Sequence, residues 1–120
     1  MTAMSSDWAR PVVHWEIEAK DPDRQADFYR TLFNWEIGSG AIMDITPGLG
    51  GPEPGPAGHL RQSERSGVNL YVQVRDLRAS LEAAEALGGS VVAQPFDVPG
   101  GPTLAIITDP EDNAVFLVQQ

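Results

Sequence analysis

The chain nearly repeats itself, and that repeat limits the possible folds more than any other feature. The segment His14-Trp15-Glu16-Ile17-Glu18-Ala19-Lys20-Asp21 lines up with Asn69-Leu70-Tyr71-Val72-Gln73-Val74-Arg75-Asp76 at an offset of 55. Both segments read as a strand that ends in a basic residue followed by Asp. A helical pattern follows each, reaching Leu32 in the first copy and Leu87 in the second. Late in each copy the offset slips by two, so that Ala57-Gly58-His59-Leu60 lies over Ala114-Val115-Phe116-Leu117. A duplicated half-domain implies a pseudo-symmetric fold with a cavity between its halves.

Hydrophobic periodicity fills in the elements. Val13, Trp15, Ile17 and Ala19 point one way from the first strand, and His14, Glu16 and Glu18 the other. Asp21 is placed to cap a helix, with Pro22 at the first helical position, where a missing N–H costs nothing. Ala26, Tyr29 and Phe33 recur at helical spacing, joined by Phe28 and Leu32, which predicts a helix that buries a wide face. Strands are expected at 35–38, 41–46 and 58–62, around a Pro/Gly-rich loop over 47–58. In the second copy Val68, Leu70, Val72 and Val74 alternate with Asn69, Tyr71, Gln73 and Arg75. Asp76 caps a helix carrying Leu77, Leu81, Ala84 and Leu87, ended by Gly88-Gly89. Strands at 91–93, 103–108 and 114–118 complete that half. Residues 1–10 read as a loosely ordered lead-in, and 11–120 as one domain, with module one at 12–62 and module two at 67–119.

The charge balance narrows the partners. A net charge of −9, with no cluster of Lys and Arg, disfavours nucleic acid and anionic membrane surfaces, because affinity there comes from basic neutralisation of phosphate. The absence of cysteine excludes disulfides, thiolate metal sites and Cys nucleophiles. No apolar run approaches a transmembrane span, and Met1 to Arg10 lacks the basic and apolar regions of a signal peptide. A cytoplasmic protein is the expectation.

Other residues carry a resemblance. His14-x-x-Ile17-x-x-x-Asp21, then Phe28-Tyr29-Arg30-x-Leu32-Phe33-x-Trp35, resembles the opening of the vicinal oxygen chelate superfamily. That group includes glyoxalase I, bleomycin resistance proteins and extradiol dioxygenases. Thr108-Asp109-Pro110-Glu111-Asp112-Asn113 and the following strand resemble its final hairpin, and Val72-x-Val74-x-Asp76 and Ala86-Leu87-Gly88-Gly89 also fit. The resemblance covers residues 12–119. It implies an α+β fold of two tandem βαβββ modules, forming a cupped, barrel-like mixed sheet with helices outside, often as a homodimer. It also implies metal-ligand positions at His14, His59, Asn69 and Phe116. Phe cannot coordinate, and an Asn amide is a poor transition-metal ligand. His14 and His59 are therefore the candidate metal residues, with Glu16 as a third donor outside the family pattern. No cofactor is the expectation, and a divalent ion (Zn, Ni, Co, Fe or Mn) is the alternative.

The polar face of the first strands holds His14, Glu16, Glu18, Asn69, Tyr71 and Gln73. It lines a ligand cavity or is a solvated sheet face, since both produce this alternation. On the first reading Tyr71, Asn69, Phe116 and Gln73 are ligand-binding, and Phe116 and Tyr71 suit stacking. Glu16 is the candidate catalytic carboxylate, and Glu18 reads as solvated. Trp15 and Trp35 are expected in the core. The Pro/Gly loop is a lid or a tolerant surface loop. Two functions follow. One is a metal-independent module that binds a small organic molecule, neutral or cationic given the acidic cavity face. The other is a metal-dependent lyase, isomerase or dioxygenase of the glyoxalase type, in which Glu16 acts as base. A purely regulatory or interaction role is a third.

Overall fold

The two capped helices stand where the Asp residues begin them. In the computed structural model, which describes residues 8–46 and 55–119, strand β1 (Val12–Ala19) leads into helix α1 (Pro22–Phe33). Asp21 accepts a hydrogen bond from the Arg24 amide at 3.2 Å, satisfying one of the helix's orphan N–H groups. Asn34, with φ of 57°, ends the helix in the left-handed region. Strands β2 (Ile42–Ile45) and β3 (Gly58–Gln62) complete the first module. The second module runs β4 (Gly67–Val74), α2 (Leu77–Ala86), β5 (Ser90–Asp97), β6 (Thr103–Thr108) and β7 (Ala114–Gln119). Asp76 caps α2 through the Ala79 amide at 3.1 Å. Residues 1–7 of the lead-in expected over 1–10, and 47–54 of the Pro/Gly loop, lie outside the described residues.

The seven strands among the described residues form one mixed, open sheet in the order β2-β3-β1-β4-β7-β6-β5. The modules join where β1 and β4 pair antiparallel, with His14 opposite Tyr71 and Glu16 opposite Asn69. In each module the last strand lies parallel to the first, with Glu16 beside His59 in one and Tyr71 beside Phe116 in the other. Those two pairs carry the sequence repeat with its offset of 55 and its late slip of two. The sheet is cupped, because side chains from both edge regions, Ile42 on β2 and Phe96 on β5, line the same cavity.

Each helix covers a core of its own on the convex face. Ile17, Ala19, Ala26, Ile37, Met43, Ile45 and Leu60 are buried under α1, with Trp15, Tyr29 and Trp35 packed against them. Val74, Leu77, Leu81, Ala105 and Leu117 are buried under α2. Both expected core tryptophans thus lie against the first cluster.

Three local expectations are corrected. Helix α1 does not bury a wide face: Ala26 is its one buried residue, while Phe28, Leu32 and Phe33 are 54%, 58% and 51% exposed. The two phenylalanine rings instead pack on Tyr29, at 5.1 Å for Phe28 and 6.0 Å for Phe33, and Tyr29 stacks on Trp35 at 5.3 Å. The strand expected at 35–38 is a single bridge, Ile37 to Ile45. There Arg30 occupies the carbonyls of Ile37 and Gly38, at 2.7 and 3.0 Å, which a neighbouring strand would otherwise take. The strand expected at 91–93 runs on through Pro95 to Asp97. As an edge strand with register shifts, β5 tolerates a residue that cannot donate to the ladder.

Candidate functional site

Alternation along the central strands brings the polar residues to the concave face. From β1 come His14, Glu16 and Glu18, from β3 His59 and Arg61, and from β4 Asn69 and Tyr71. The outward positions of the same strands, Ile17, Ala19, Leu60 and Val74, supply the cores. The polar groups form one hydrogen-bonded line. His14 Nε2 and His59 Nδ1 are 2.8 Å apart, and His59 Nε2 lies 2.7 Å from Glu16 Oε2. Arg61 donates to both Glu16 oxygens, at 2.8 and 3.2 Å, and the Asn69 amide donates to Glu16 Oε1 at 2.8 Å. Tyr71 Oη points at Glu16 Oε2 from 3.4 Å.

Glu16 is therefore a buried carboxylate with its lone pairs occupied, which is what a charge needs to leave water. Burial pushes its carboxyl pKa up, but the hydrogen bonds from His59, Arg61 and Asn69 outweigh that and hold it well below the usual carboxylate range. Glu18, expected to be solvated, is buried as well. It accepts from Ser63 at 2.8 Å and Asn69 at 2.7 Å, and lies 3.2 Å from Arg61 and 3.8 Å from Arg65. Its carboxyl is also held low, because these donors overcome its burial. Burial, reinforced by Glu16, raises the Tyr71 phenol, so it remains a donor. Burial, and then the neighbouring His59, lower the His14 imidazole and keep it neutral.

This line forms one end of a cavity of about 740 Å³, within the range of small-molecule sites. His14, Glu16, His59, Arg61 and Tyr71 line the polar end, with Asp44 of β2 beside them. The second module supplies an apolar wall: Phe96, Val98, Pro102, Leu104, Ile106, Phe116 and Val118. Tyr71 and Phe116 meet with ring centroids 4.7 Å apart, a tilted aromatic pair on the cavity floor. A smaller hollow of about 250 Å³ lies beyond, lined among others by Glu18, Asn69 and Arg65.

Of the residues singled out in the sequence, the cavity gathers His14, Glu16, His59, Tyr71 and Phe116. Asn69 acts behind them, tying Glu16 to Glu18, and Gln73 lines none of these hollows. Arg61 went unmarked in the sequence. The signal for it was present, because it lies two residues from His59 on the same strand face. The apolar wall was hidden for a different reason. Leu104, Ile106 and Val118 sit in strands whose two faces are both apolar, so alternation does not mark the cavity side.

The donor set at the family's ligand positions does not fit a catalytic divalent ion. The two imidazoles are hydrogen-bonded to each other, the Glu16 carboxylate is already neutralised by Arg61, and Phe116 offers only carbon. Such an ion takes three protein ligands and an open position. Among the described residues no three His, Asp or Glu side chains converge in that way.

Residues 14–118 match the profile of a family described as a glyoxalase-like domain. A glyoxylase-like domain-containing protein of Didymella fabae is 30% identical over 108 residues, covering 82% of this chain and 84% of the relative. Among solved structures, a glyoxalase/bleomycin resistance protein/dioxygenase superfamily member from Vibrio splendidus superposes with a TM-score of 0.64. It is 15% identical, and the match covers 93% of this chain and all of the other. A Mn(II)-bound glyoxalase from Novosphingobium aromaticivorans gives a TM-score of 0.63 at 20% identity, over 92% of this chain and 40% of that one. At such identities the likeness to these structures is one of fold.

Proposed function

Because the chain belongs to the glyoxalase-like domain family of the vicinal oxygen chelate superfamily, we propose that it binds a small organic molecule between its modules, without a metal ion. One observation carries the reading: a cavity of about 740 Å³ whose apolar wall comes from the second module and whose polar end comes mainly from the first. Burying a ligand's apolar surface against Phe96, Leu104 and Phe116 supplies the affinity. The few polar groups opposite set its orientation. Tyr71 and Phe116 are the stacking surface, and His14 and His59 are the polar contacts. Asn69 and Glu16 are positioning residues, which act by holding His59 and Tyr71 in place. Gln73 has no part in this arrangement.

The competing reading, a metal-dependent lyase, isomerase or dioxygenase, needs ligands that the second module does not offer. It would require Glu16 to exchange its bond with Arg61 for the ion. No helix among the described residues is long and apolar enough to cross a membrane. A cytoplasmic homodimer without affinity for nucleic acid completes the proposal, and light scattering on a sizing column tests its oligomeric part.

Calorimetric titration with a panel of uncharged and cationic aromatic compounds tests the central claim. Micromolar one-site binding that is lost in Phe116→Asp supports it. A panel in which nothing binds sinks it.

A further inference from the structure

One charge on the cavity wall is left without a partner. Alternation along β2 turns Met43 and Ile45 into the core and leaves Ile42 and Asp44 on the concave face, where both line the cavity. Asp44 is held in place through its backbone. Its strand pairs with β3, and its carbonyl accepts from the Gly38 amide at 2.9 Å. Besides the imidazoles, the other charged groups on the wall are Glu16 and Arg61, which pair with each other at 2.8 Å. Glu18 and Arg65, just beyond, lie 3.8 Å apart. Arg30 is the basic residue of the outer hollow that Asp44 also borders, and it is held by Asp27 and the carbonyls of Ile37 and Gly38. The Asp44 carboxylate itself, exposed at the cavity rim, has no hydrogen bond or ion pair among the described residues.

Resting on the small-molecule reading above, we infer that the ligand is an organic cation, an aromatic or apolar body joined to one ammonium-type group that pairs with Asp44. The sheet topology sets how the two parts lie. Asp44 stands on β2, at one edge of the sheet, while Phe96, Leu104, Ile106, Phe116 and Val118 come from the three strands at the other. From β2 to β7 is four strand spacings, roughly 19 Å along the curved sheet. A ring resting on Tyr71 and Phe116 therefore reaches Asp44 through a tail. An anionic tail meets a like charge there, and an uncharged one leaves Asp44 to water alone. Because Asp44 keeps part of its hydration at the rim, the pair selects among ligands while the apolar wall supplies most of the affinity.

The test is a fluorescence titration with three dansyl amides that share a five-methylene tail, ended in an ammonium, a hydroxyl or a carboxylate. The ammonium probe should bind about fivefold more tightly than the hydroxyl probe, the effect of one ion pair at a partly solvated rim. The carboxylate probe should bind most weakly. Asp44→Asn, which keeps the size of the side chain, should bring the ammonium and hydroxyl probes to equal affinity. Glu85→Gln removes the same charge from an exposed position on α2 and should leave the preference intact. That variant separates a contact at Asp44 from the general pull of a net charge of −9. Three results each overturn the cation inference while leaving the cavity reading intact. They are a wild-type protein that does not favour the ammonium probe, a preference that survives Asp44→Asn, and one that falls equally in Glu85→Gln. Binding by none of the three probes overturns the cavity reading itself, and this inference with it.

Discussion

The side-chain amide of Asn69, on β4, donates to Glu16 Oε1, on β1, at 2.8 Å across the boundary between the two modules. The same nitrogen donates its second hydrogen to Glu18 Oε2 at 2.7 Å. One NH₂ group thus bridges two buried carboxylates, both of which Arg61 also contacts. Asn69→Leu removes both charge-assisted bonds and should cost roughly 3 kcal/mol in urea denaturation. Asn69→Asp, nearly the same size, places a third carboxylate between the two and should cost more. An Asp variant as stable as the wild type would mean that the network is not closed as described.

Acid should unfold the protein partly through Glu16. Its ordinary carboxyl value is 4.5, and in the folded chain the titration lies well below that. A depressed folded value means that the stability it contributes is fully present above about 4.5. That stability is lost as the pH falls from there through the folded value. Glu16→Gln should be less stable than the wild type at pH 7. It should also lose less stability between pH 5 and pH 3. Parallel stability curves for the two proteins across that interval would contradict the assignment.

Gly58 is required where β3 passes the Trp15 indole. A Cβ built at that position would lie 2.4 Å from two ring atoms. The ring cannot simply swing away, because Trp15 Nε1 donates to the Pro56 carbonyl at 2.9 Å and the indole packs against Trp35 at 5.3 Å. Gly58→Ala should destabilise by about 2 kcal/mol, in the range of overpacked sites. It should also shift the tryptophan fluorescence of the native state. An unchanged spectrum would show that Trp15 is not wedged against the strand.

Helix α1 makes a contrast between two neighbouring positions. Phe28 is 54% exposed and Ala26 is 1% exposed. Phe28→Ser should therefore cost under about 1 kcal/mol, and Ala26→Leu about 2 kcal/mol, as measured by thermal denaturation. The reverse order would restore the broad buried face that the helical spacing suggests.

Metal addition should leave the melting temperature unmoved. A specific ion present at a hundred times its Kd would stabilise the fold by about 2.7 kcal/mol, which is readily seen in a melt. Chelated, Zn²⁺-supplemented and Mn²⁺-supplemented samples are expected to coincide. A rise that disappears in His14→Ala would move the function to the metal-dependent class.

The sequence by itself determined whatever depends on local chemistry or strict periodicity. Asp21 and Asp76 were readable as caps because a short carboxylate before a helical pattern satisfies amides within its own turn. The polar face of β1 and β4 was readable because side chains alternate with a period of two. The equivalence of His59 and Phe116 was readable because the repeat resumes in the last strand of each copy after its offset slips by two. Tertiary structure alone decided the rest, since those features depend on atoms brought together from distant segments. Periodicity marks Phe28, Leu32 and Phe33 as apolar, but only the narrow contact of α1 with the sheet determines that they stay outside. Proline marks a break at 95, but only an edge position lets β5 continue through it. Most of all, the hydrogen-bonded line from His14 through His59 to Glu16 joins three side chains on two strands. No local pattern records that these three meet.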